Sequence, residues 1–317
     1  MIPISVIIPT RNREDVLAEC LDRLLAEPVP PFEIIVIDSS STERTQSILA
    51  RYPSVVNHRL GDVPFSMVLS RNIGISRARG NVVAFIDDDC FVLPGWLAEL
   101  AQAFEDPSVA AAGGRVIYHP WKQCGHGSPV AKLDLERDTV WAEWDRTLDA
   151  PIDVPHLPGG NCAVRRSVAL AVGGFDTNFI GSANHEETDF FLRVSKTGGR
   201  IVFIPSAVVE HRAAPRADGI VRSMANFNYR YSLVRNRLYF MRKHGAAGLP
   251  LTLRRQLVDA AVGTGRMLAN TATFAAASAA GIVAGLATKP IGKNAGFSQQ
   301  ANETSLPHPS FEEAHEL

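Results

Sequence analysis

Residues Val82–Ile86 form an unbroken apolar run that ends directly in three carboxylates, Asp87-Asp88-Asp89. Such a run has no polar alternation, so it must be covered on both faces, as a central strand of a parallel sheet is. Open α/β sheets bind ligands at the carboxyl edge, where this strand stops. Three adjacent carboxylates repel one another unless a cation or basic groups neutralise them. Oxygen ligands of this kind favour Mg²⁺ or Mn²⁺, and Mg²⁺ commonly binds one or two carboxylates plus substrate phosphates. Taken alone, the triplet reads equally well as a solvated acidic turn or a helix-capping cluster.

The chain around it alternates strand and helix signals, as a parallel α/β sheet requires. Ile4–Ile8 is a β-branched run followed by the loop Pro9-Thr10-Arg11-Asn12-Arg13. Val16, Leu17, Cys20, Leu21, Leu24 and Leu25 then recur on one helical face, and Pro28, Pro30 and Pro31 stop it. Glu33–Ile37 predicts a second strand ending at Asp38, with Ser40-Ser41-Thr42-Glu43 as a capping box for the next helix. A short strand near Val55–Leu60 precedes a helix from about Ser66 to Ala78, closed by Gly80. Pro94 marks the start of another helix running to about Phe104. Between Tyr118 and Pro155 the rhythm is lost, with Trp121, Trp141 and Trp144 among scattered charges. A helix from Glu186 to Lys196 and a strand at Ile201–Ile204 follow, and beyond Pro215 the pattern is mainly helical. The last 25 or so residues are polar and aperiodic, which predicts disorder.

At 317 residues with 46% hydrophobic and 21% charged side chains, the composition is that of a soluble globular protein. A formal net charge of -1 gives no reason to expect a nucleic-acid partner. The four cysteines are far apart, without a CxxC pair, so reduced thiols in a cytosolic protein are expected. Cys124-Gly125-His126 supplies two ligand types but no second pair. The apolar N-terminus is short and Pro-interrupted and reads as a buried strand rather than a signal peptide. Met267–Thr288 carries no charge and is long enough to span a bilayer. It is Ala-rich and only mildly apolar, which favours a helix packed on the core or lying on a membrane surface.

Several residues share the inferred edge with the triplet. Asp38 ends a strand expected to be parallel to the first, although a lone Asp there is more often an N-cap. Arg71 and Asn72 lie on the helix leading into the acidic strand, and arginine near a diphosphate donates paired charge-assisted hydrogen bonds. Acidic residues at Glu186, Glu187 and Asp189 complement a helix dipole and are also candidate proton acceptors. The helical segment Phe227–His244 carries Arg230, Arg235, Arg237, Arg242 and Lys243 among Tyr and Phe. Two readings fit it: a membrane-surface or lipid-phosphate contact, and a snorkelling basic helix against the preceding domain.

Motif order adds a family. Ser5-Val-Ile-Ile-Pro-Thr-Arg-Asn-Arg13 resembles the opening strand and loop of the family 2 glycosyltransferases, the large inverting GT-A group. Ile35-Val-Ile-Asp38 resembles that family's second strand, and Ser70-Arg-Asn-Ile-Gly-Ile-Ser-Arg-Ala-Arg-Gly80 with Val83–Asp89 its approach to the DxD motif. Pro158-Gly-Gly-Asn161, Gly173-Gly-Phe-Asp176, Glu186-Glu-Thr-Asp189 and Pro205–His211 follow in family order, so the likeness covers about residues 4–240. It implies an α/β fold: a GT-A-type, Rossmann-like mixed sheet flanked by helices, with a helical C-terminal extension.

On this resemblance residues 1–215 are the catalytic domain, with a nucleotide-sugar half to about 115 and an acceptor half after it. Residues 216–290 are the extension and 291–317 a disordered tail. The implied activity moves a sugar from a nucleoside-diphosphate sugar to an acceptor hydroxyl with inversion, by single displacement. Pro9, Thr10, Arg11, Asp38, Arg71, Asn72, Asp87 and Asp88 would contact the donor. Asp87, Asp89 and His211 would hold Mg²⁺ or Mn²⁺. Gly159, Gly160 and Asn161 would face the acceptor, which is a glycan, a lipid-linked sugar or a small molecule. The catalytic base would be Glu187, with Glu186 and Asp189 as alternatives, because the family usually has Asp where this chain has Glu187. A cytosolic location is implied, with peripheral association at the inner membrane face as the variant. Two rivals stay open: an inactive, donor-binding relative and a sugar nucleotidyltransferase. The latter would want a Gly-rich basic loop after the first strand, and an oxidoreductase would want GxGxxG there.

Overall fold

The computed structural model describes residues 2–61, 66–120, 125–127, 129–214, 226–245, 247–266 and 271–289. Trp121, Cys124 and the tail expected at 291–317 lie outside them. The first half runs β1 (Ile4–Thr10), α1 (Glu14–Leu25), β2 (Glu33–Asp38), α2 (Arg44–Leu49), β3 (Val55–Arg59), α3 (Met67–Arg77) and β4 (Val82–Phe85). Next come β5 (Cys90–Val92), α4 (Trp96–Ala103), β6 (Val109–His119), a hairpin of β7 (Ala131–Asp134) and β8 (Thr139–Ala142), and β9 (Ile152–Asp153). The rest is β10 (Cys162–Arg165), α5 (Arg166–Ala171), α6 (Glu186–Ser195), β11 (Arg200–Arg212), α7 (Phe227–His244), α8 (Leu249–Arg266) and α9 (Thr271–Ala287).

One sheet carries both halves, in the order β3-β2-β1-β4-β10-β6-β11-β5, with β9 beside β11. The strands β3, β2, β1 and β4 are parallel, and β10 reverses direction against both β4 and β6. Alternate side chains enter two different cores. Ile4, Val6, Ile8, Val82 and Ala84 pack on one face, and Ile7, Val83 and Phe85 on the other. Burial on both faces is why these strands read as continuous apolar runs.

Local signals hold unevenly. Ser66 caps α3 through its hydroxyl, which accepts from the Leu69 amide at 3.3 Å. The expected capping box at Ser40–Glu43 does not form: α2 starts after Glu43 with no side-chain cap. Ser40 is used instead as an acceptor for the Asn12 amide (2.8 Å) and the Thr45 hydroxyl (2.8 Å). Helix α4 starts two residues after Pro94, behind Gly95 in a left-handed conformation.

Helix α7 turns most of its charge inward. Lys243 bonds Asp176 (2.6 Å) and Asp189 (2.7 Å), His244 meets Asp189 at 2.6 Å, and Arg237 pairs with Asp138 at the β7–β8 turn (2.5 Å). Losing one partner from a buried set of this kind costs about 3–5 kcal/mol, because an uncompensated charge is left behind. Helix α9 lies against α7 through small residues: a Cβ on Gly281 or Gly285 would come within 2.8 Å of the Tyr231 carbonyl or 2.6 Å of the Arg235 carbonyl. Among the described residues no helix is long and apolar enough to cross a membrane.

Candidate active site

Parallel strands bring their carboxyl ends to one edge, where Thr10 pairs with Asp38 across β1 and β2. The triplet leaves β4 beside them, and its charges are divided between two arginines. Arg13 Nη1 donates to Asp88 Oδ1 (2.8 Å) and Asp89 Oδ2 (2.9 Å), while Nη2 donates to the Ala214 carbonyl (3.0 Å). The Thr10 hydroxyl donates to the other Asp88 oxygen at 2.8 Å. Burial pushes the Asp88 carboxyl up to about 6, against the opposing charge of Arg13. Burial works on Asp89 in the same sense, but the His211 ring and Arg13 outweigh it and hold that carboxyl below its usual range.

Arg71 takes the remaining acid. Its guanidinium, 2% exposed, donates to Glu186 (2.5 Å), to Asp87 (3.2 Å) and to the Gly159 carbonyl (3.1 Å), with Glu187 at 3.9 Å. Burial raises the Glu186 carboxyl well above its ordinary value despite Arg71.

Asp87, Tyr118, Trp144, His156, Glu187 and His211 border one cavity of about 300 Å³. Gly159 and Gly160 form part of its wall, and a side chain at either would press on the site's own groups. A Cβ on Gly159 would collide with the Glu187 carboxylate and the Arg71 guanidinium, and one on Gly160 would sit 3.0 Å from Cys90 Sγ and 3.1 Å from Asp87. His211 Nε2 stands 3.4 Å from Asp89 Oδ1. Antiparallel pairing of β5 with β11 sets Cys90 opposite His211, and ligand atoms of Asp89, Cys90 and His211 lie within 4.8 Å of one another. The carboxylate and the imidazole so placed can ligate a divalent cation, Mg²⁺ or Mn²⁺, while burial pushes the Cys90 thiol well above its usual range, against thiolate ligation.

Other expected residues sit elsewhere, for physical reasons. Asp38 reaches the edge but is fully buried, accepting from the Ser40 amide (2.8 Å) and the Gln46 side chain (2.5 Å). Arg71 is committed to protein carboxylates and does not face solvent. Asn72 spends both amide atoms on the Phe175 backbone (2.8 and 2.7 Å). Asn161 is fully buried: it donates to the Arg115 and Ala207 carbonyls (2.9 Å each) and accepts from the Trp96 indole (2.8 Å). Asp189 is enclosed by Arg193, Lys243 and His244. Burial would raise its carboxyl, but these cations hold it far below the normal range. Pro9 is buried within β1 and Arg11 is half-buried beside it. Arg13, Cys90, Tyr118 and His156 escaped sequence reasoning. Of these only Arg13 had a readable signal, since it lies in the same strand-end loop as Thr10.

The sequence model of glycosyl transferase family 2 matches residues 5–172. The chain belongs to this family. It is 27% identical over 237 residues to the O-antigen biosynthesis protein RfbC of Myxococcus xanthus, covering 68% of this chain but only 18% of that protein. Against the glucosyl-dolichyl phosphate glucuronosyltransferase of Haloferax volcanii it is 28% identical over 225 residues, 66% of this chain and 69% of the relative. The glycosyltransferase YwdF of Bacillus subtilis shares 26% over 251 residues, 78% and 86% of the two chains. Among solved structures, GalNAc-T7 with UDP, GalNAc and Mn²⁺ superposes with a TM-score of 0.58 at 19% identity, over 76% of this chain and 50% of that one. The mannosyltransferase PcManGT from Pyrobaculum calidifontis, with GDP-Man and Mn²⁺, gives 0.56 at 19% identity, over 90% and 87%. The GT-A fold read from the sequence is the fold observed.

Two buried imidazoles make an acid-sensitive contribution to the stability of this family 2 member. Burial pushes His156 down to about 4; burial, then the charge of Arg237 and His156 itself, push His185 down to about 3. An unfolded histidine titrates near 6.5, so between the two values the unfolded chain binds more protons and stability falls as pH falls. Asp88, raised to about 6, acts in the opposite sense, so the readout is the difference between wild type and His156→Phe. Wild type is expected to lose about 2 kcal/mol more than the variant between pH 7 and pH 5 in urea unfolding. Parallel curves for the two proteins would mean that His156 is not held neutral by the fold.

Proposed function

We propose that this family 2 member transfers a sugar from a nucleoside-diphosphate sugar to an acceptor hydroxyl with inversion, using Glu187 as the base. One observation carries the reading: a single cavity places Asp87 and His211 together with Glu187, while both rival carboxylates are locked away. Glu186 is 3% exposed against Arg71 and Asp189 is fully buried, whereas the Glu187 side chain keeps 31% of its surface. A base must reach the hydroxyl it deprotonates, and of the three only Glu187 borders the cavity.

Asp89 and His211, with Asp87, would hold Mn²⁺ or Mg²⁺. Such an ion supplies charge stabilisation for the departing diphosphate. Thr10 and Arg13 hold Asp88 and Asp89 in place. Glu187 takes the proton of the acceptor hydroxyl as that oxygen attacks the anomeric carbon from the face opposite the leaving group. The acceptor is a glycan, a lipid-linked sugar or a small molecule. The lipid-linked-sugar class has a precedent in the Haloferax relative, a glucosyl-dolichyl phosphate glucuronosyltransferase.

The test is a panel of UDP- and GDP-sugars with Mn²⁺, followed by thermal shift and by nucleoside-diphosphate release. One donor is expected to raise Tm by about 5 °C at a hundredfold excess over Kd. EDTA should abolish both the shift and the release, and Mn²⁺ should restore them. The product anomer, read by NMR, reports inversion. A donor that binds and is never consumed would favour a binding protein, and one bound equally in EDTA would remove the metal from the reading.

A further inference from the structure

Glu187 lies in the first turn of α6, and the chain reaches it through an uncommon backbone. Ala183 and His185 both occupy the left-handed region, at φ 53° and 71°. Residues other than glycine rarely stand there unless their surroundings hold them. Helix α7 supplies the hold. Asn236 exchanges hydrogen bonds with both backbone groups of Ile180 (2.9 and 3.4 Å), and His244 meets Asp189 one turn beyond His185 (2.6 Å). Between these anchors, Arg237 Nη1 stands 3.3 Å from His185 Nε2, and the His185 ring stacks on Phe240 at 5.3 Å and 22°. A guanidinium has donors and no acceptor, so Arg237 donates and Nε2 accepts. The same guanidinium is fixed from behind by Asp138, through its carboxylate (2.5 and 2.9 Å) and its carbonyl (2.7 Å). A chain of three side chains thus runs from the β7–β8 turn to the residue two positions before the base.

We propose that His185, clamped by Arg237, is a positioning residue that holds the left-handed step before α6 and so aims Glu187 into the cavity. The assignment rests on the reading of Glu187 as the base. The His185 ring does not border the cavity, so it acts through Glu187 and not on a substrate. Arg71 fixes the neighbouring Glu186 from α3 (2.5 Å), and Arg237 fixes His185 from α7, which sets the base between two guanidinium anchors. A base must stand within hydrogen-bond reach of its proton, and a misplacement of about 1 Å can cost about 10²-fold in rate. Helix α7 lies beyond residues 5–172, so the clamp gives the C-terminal helices a part in turnover that the family match does not reach.

The experiment compares wild type, His185→Phe, His185→Gln and Arg237→Lys as full chains with Mn²⁺, each also in a Glu187→Gln background. Calorimetry with UDP-glucose, UDP-galactose, UDP-N-acetylglucosamine and GDP-mannose gives the donor Kd. Single-turnover transfer to p-nitrophenyl glycosides of the same sugars gives the rate of the chemical step. Phe keeps a ring against Phe240 and removes the acceptor, whereas Gln offers an amide oxygen in place of Nε2. Lys keeps a cation at Asp138 and gives up the fork that reaches His185. Phe and Lys are each expected to slow transfer about tenfold with donor Kd within about twofold of wild type, and Gln to recover part of the loss. In the Glu187→Gln background the same changes should cost less than about twofold, because the group they aim is no longer a base. A purely structural role would slow both backgrounds alike. Equal losses in the two backgrounds, a folded Phe or Lys variant at the wild-type rate, or a Gln variant no faster than Phe overturns the assignment alone. Arg255 also pairs with Asp138 (3.3 Å), so the Lys variant leaves that carboxylate neutralised and carries the test if the Phe variant does not fold. Glu187→Gln at the wild-type rate overturns the base reading, and wild type that consumes no donor overturns the glycosyl-transfer reading; either takes the assignment with it.

Discussion

Glu187→Gln is expected to leave nucleotide-sugar binding within about twofold of wild type and to slow transfer by about 10³-fold, the middle of the range for a lost general base. The substitution keeps the side chain's length and its amide oxygen, so the wall formed with Gly159 retains its shape. Arg71 still has Glu186 and Asp87 as full charge partners, so the guanidinium is not left alone. What is removed is the negative charge and, with it, the capacity to take a proton. Single-turnover measurements with donor and acceptor saturating are the direct check, because they separate chemistry from product release. Turnover within about threefold of wild type would move the base elsewhere. Neither Glu186 nor Asp189 could take the role without rearrangement, since both are sealed in ion pairs.

Asp89→Ala is expected to lower transfer by about 10³-fold or more and to remove tight Mn²⁺ binding, two effects measured independently. Asp89 is the carboxylate facing His211, and it also accepts from Arg13 and the Ala214 amide. Removing it leaves only His211 of the proposed ligands on that side, too few to hold a hard cation. Arg13 keeps its bond to Asp88, so the strand-end loop should stay folded. Free Mn²⁺ followed by electron paramagnetic resonance gives the binding constant without any substrate. Asp89→Asn, which preserves volume, separates loss of the ligand charge from loss of packing. Normal Mn²⁺ affinity in both variants would place the ion elsewhere in the cavity.

What could be read beforehand follows from what strands reveal. Strand ends are legible because burial on both faces forces apolar runs, and parallel pairing forces their ends to one edge. Asp38 and the triplet were located by that logic, whereas Thr10, expected in the following loop, ends β1 and entered only through the family resemblance. Strand β6 was not legible, because its Ala111-Ala-Gly-Gly stretch carries no β-branched residue. Small residues are required there: a Cβ on Gly113 would come within 2.5 Å of the Asn161 carbonyl, and one on Gly114 would collide with the Ala207 carbonyl. Those neighbours are contributed by β10 and the β11 bend and are invisible in a local pattern. Strand β5 has three residues, too few to show any period, so Cys90 beside His211 could not be anticipated. Asn72, Asn161 and Asp189 show a different limit. A polar residue in motif order looks the same whether it meets substrate or braces the backbone, and only burial with its hydrogen-bond partners distinguishes the two.

Arg71 has a further consequence for how this site responds to change. One guanidinium touches Asp87 on the proposed leaving-group side and Glu186 and Glu187 on the nucleophile side. Substitutions at these carboxylates share a partner and so should not behave additively. A change at Asp87 frees a donor that can tighten on Glu187 and weaken it as a base, and a change at Glu187 shifts the charge felt at Asp87. A double-mutant cycle between Asp87 and Glu187 is therefore expected to show a coupling energy rather than a simple sum.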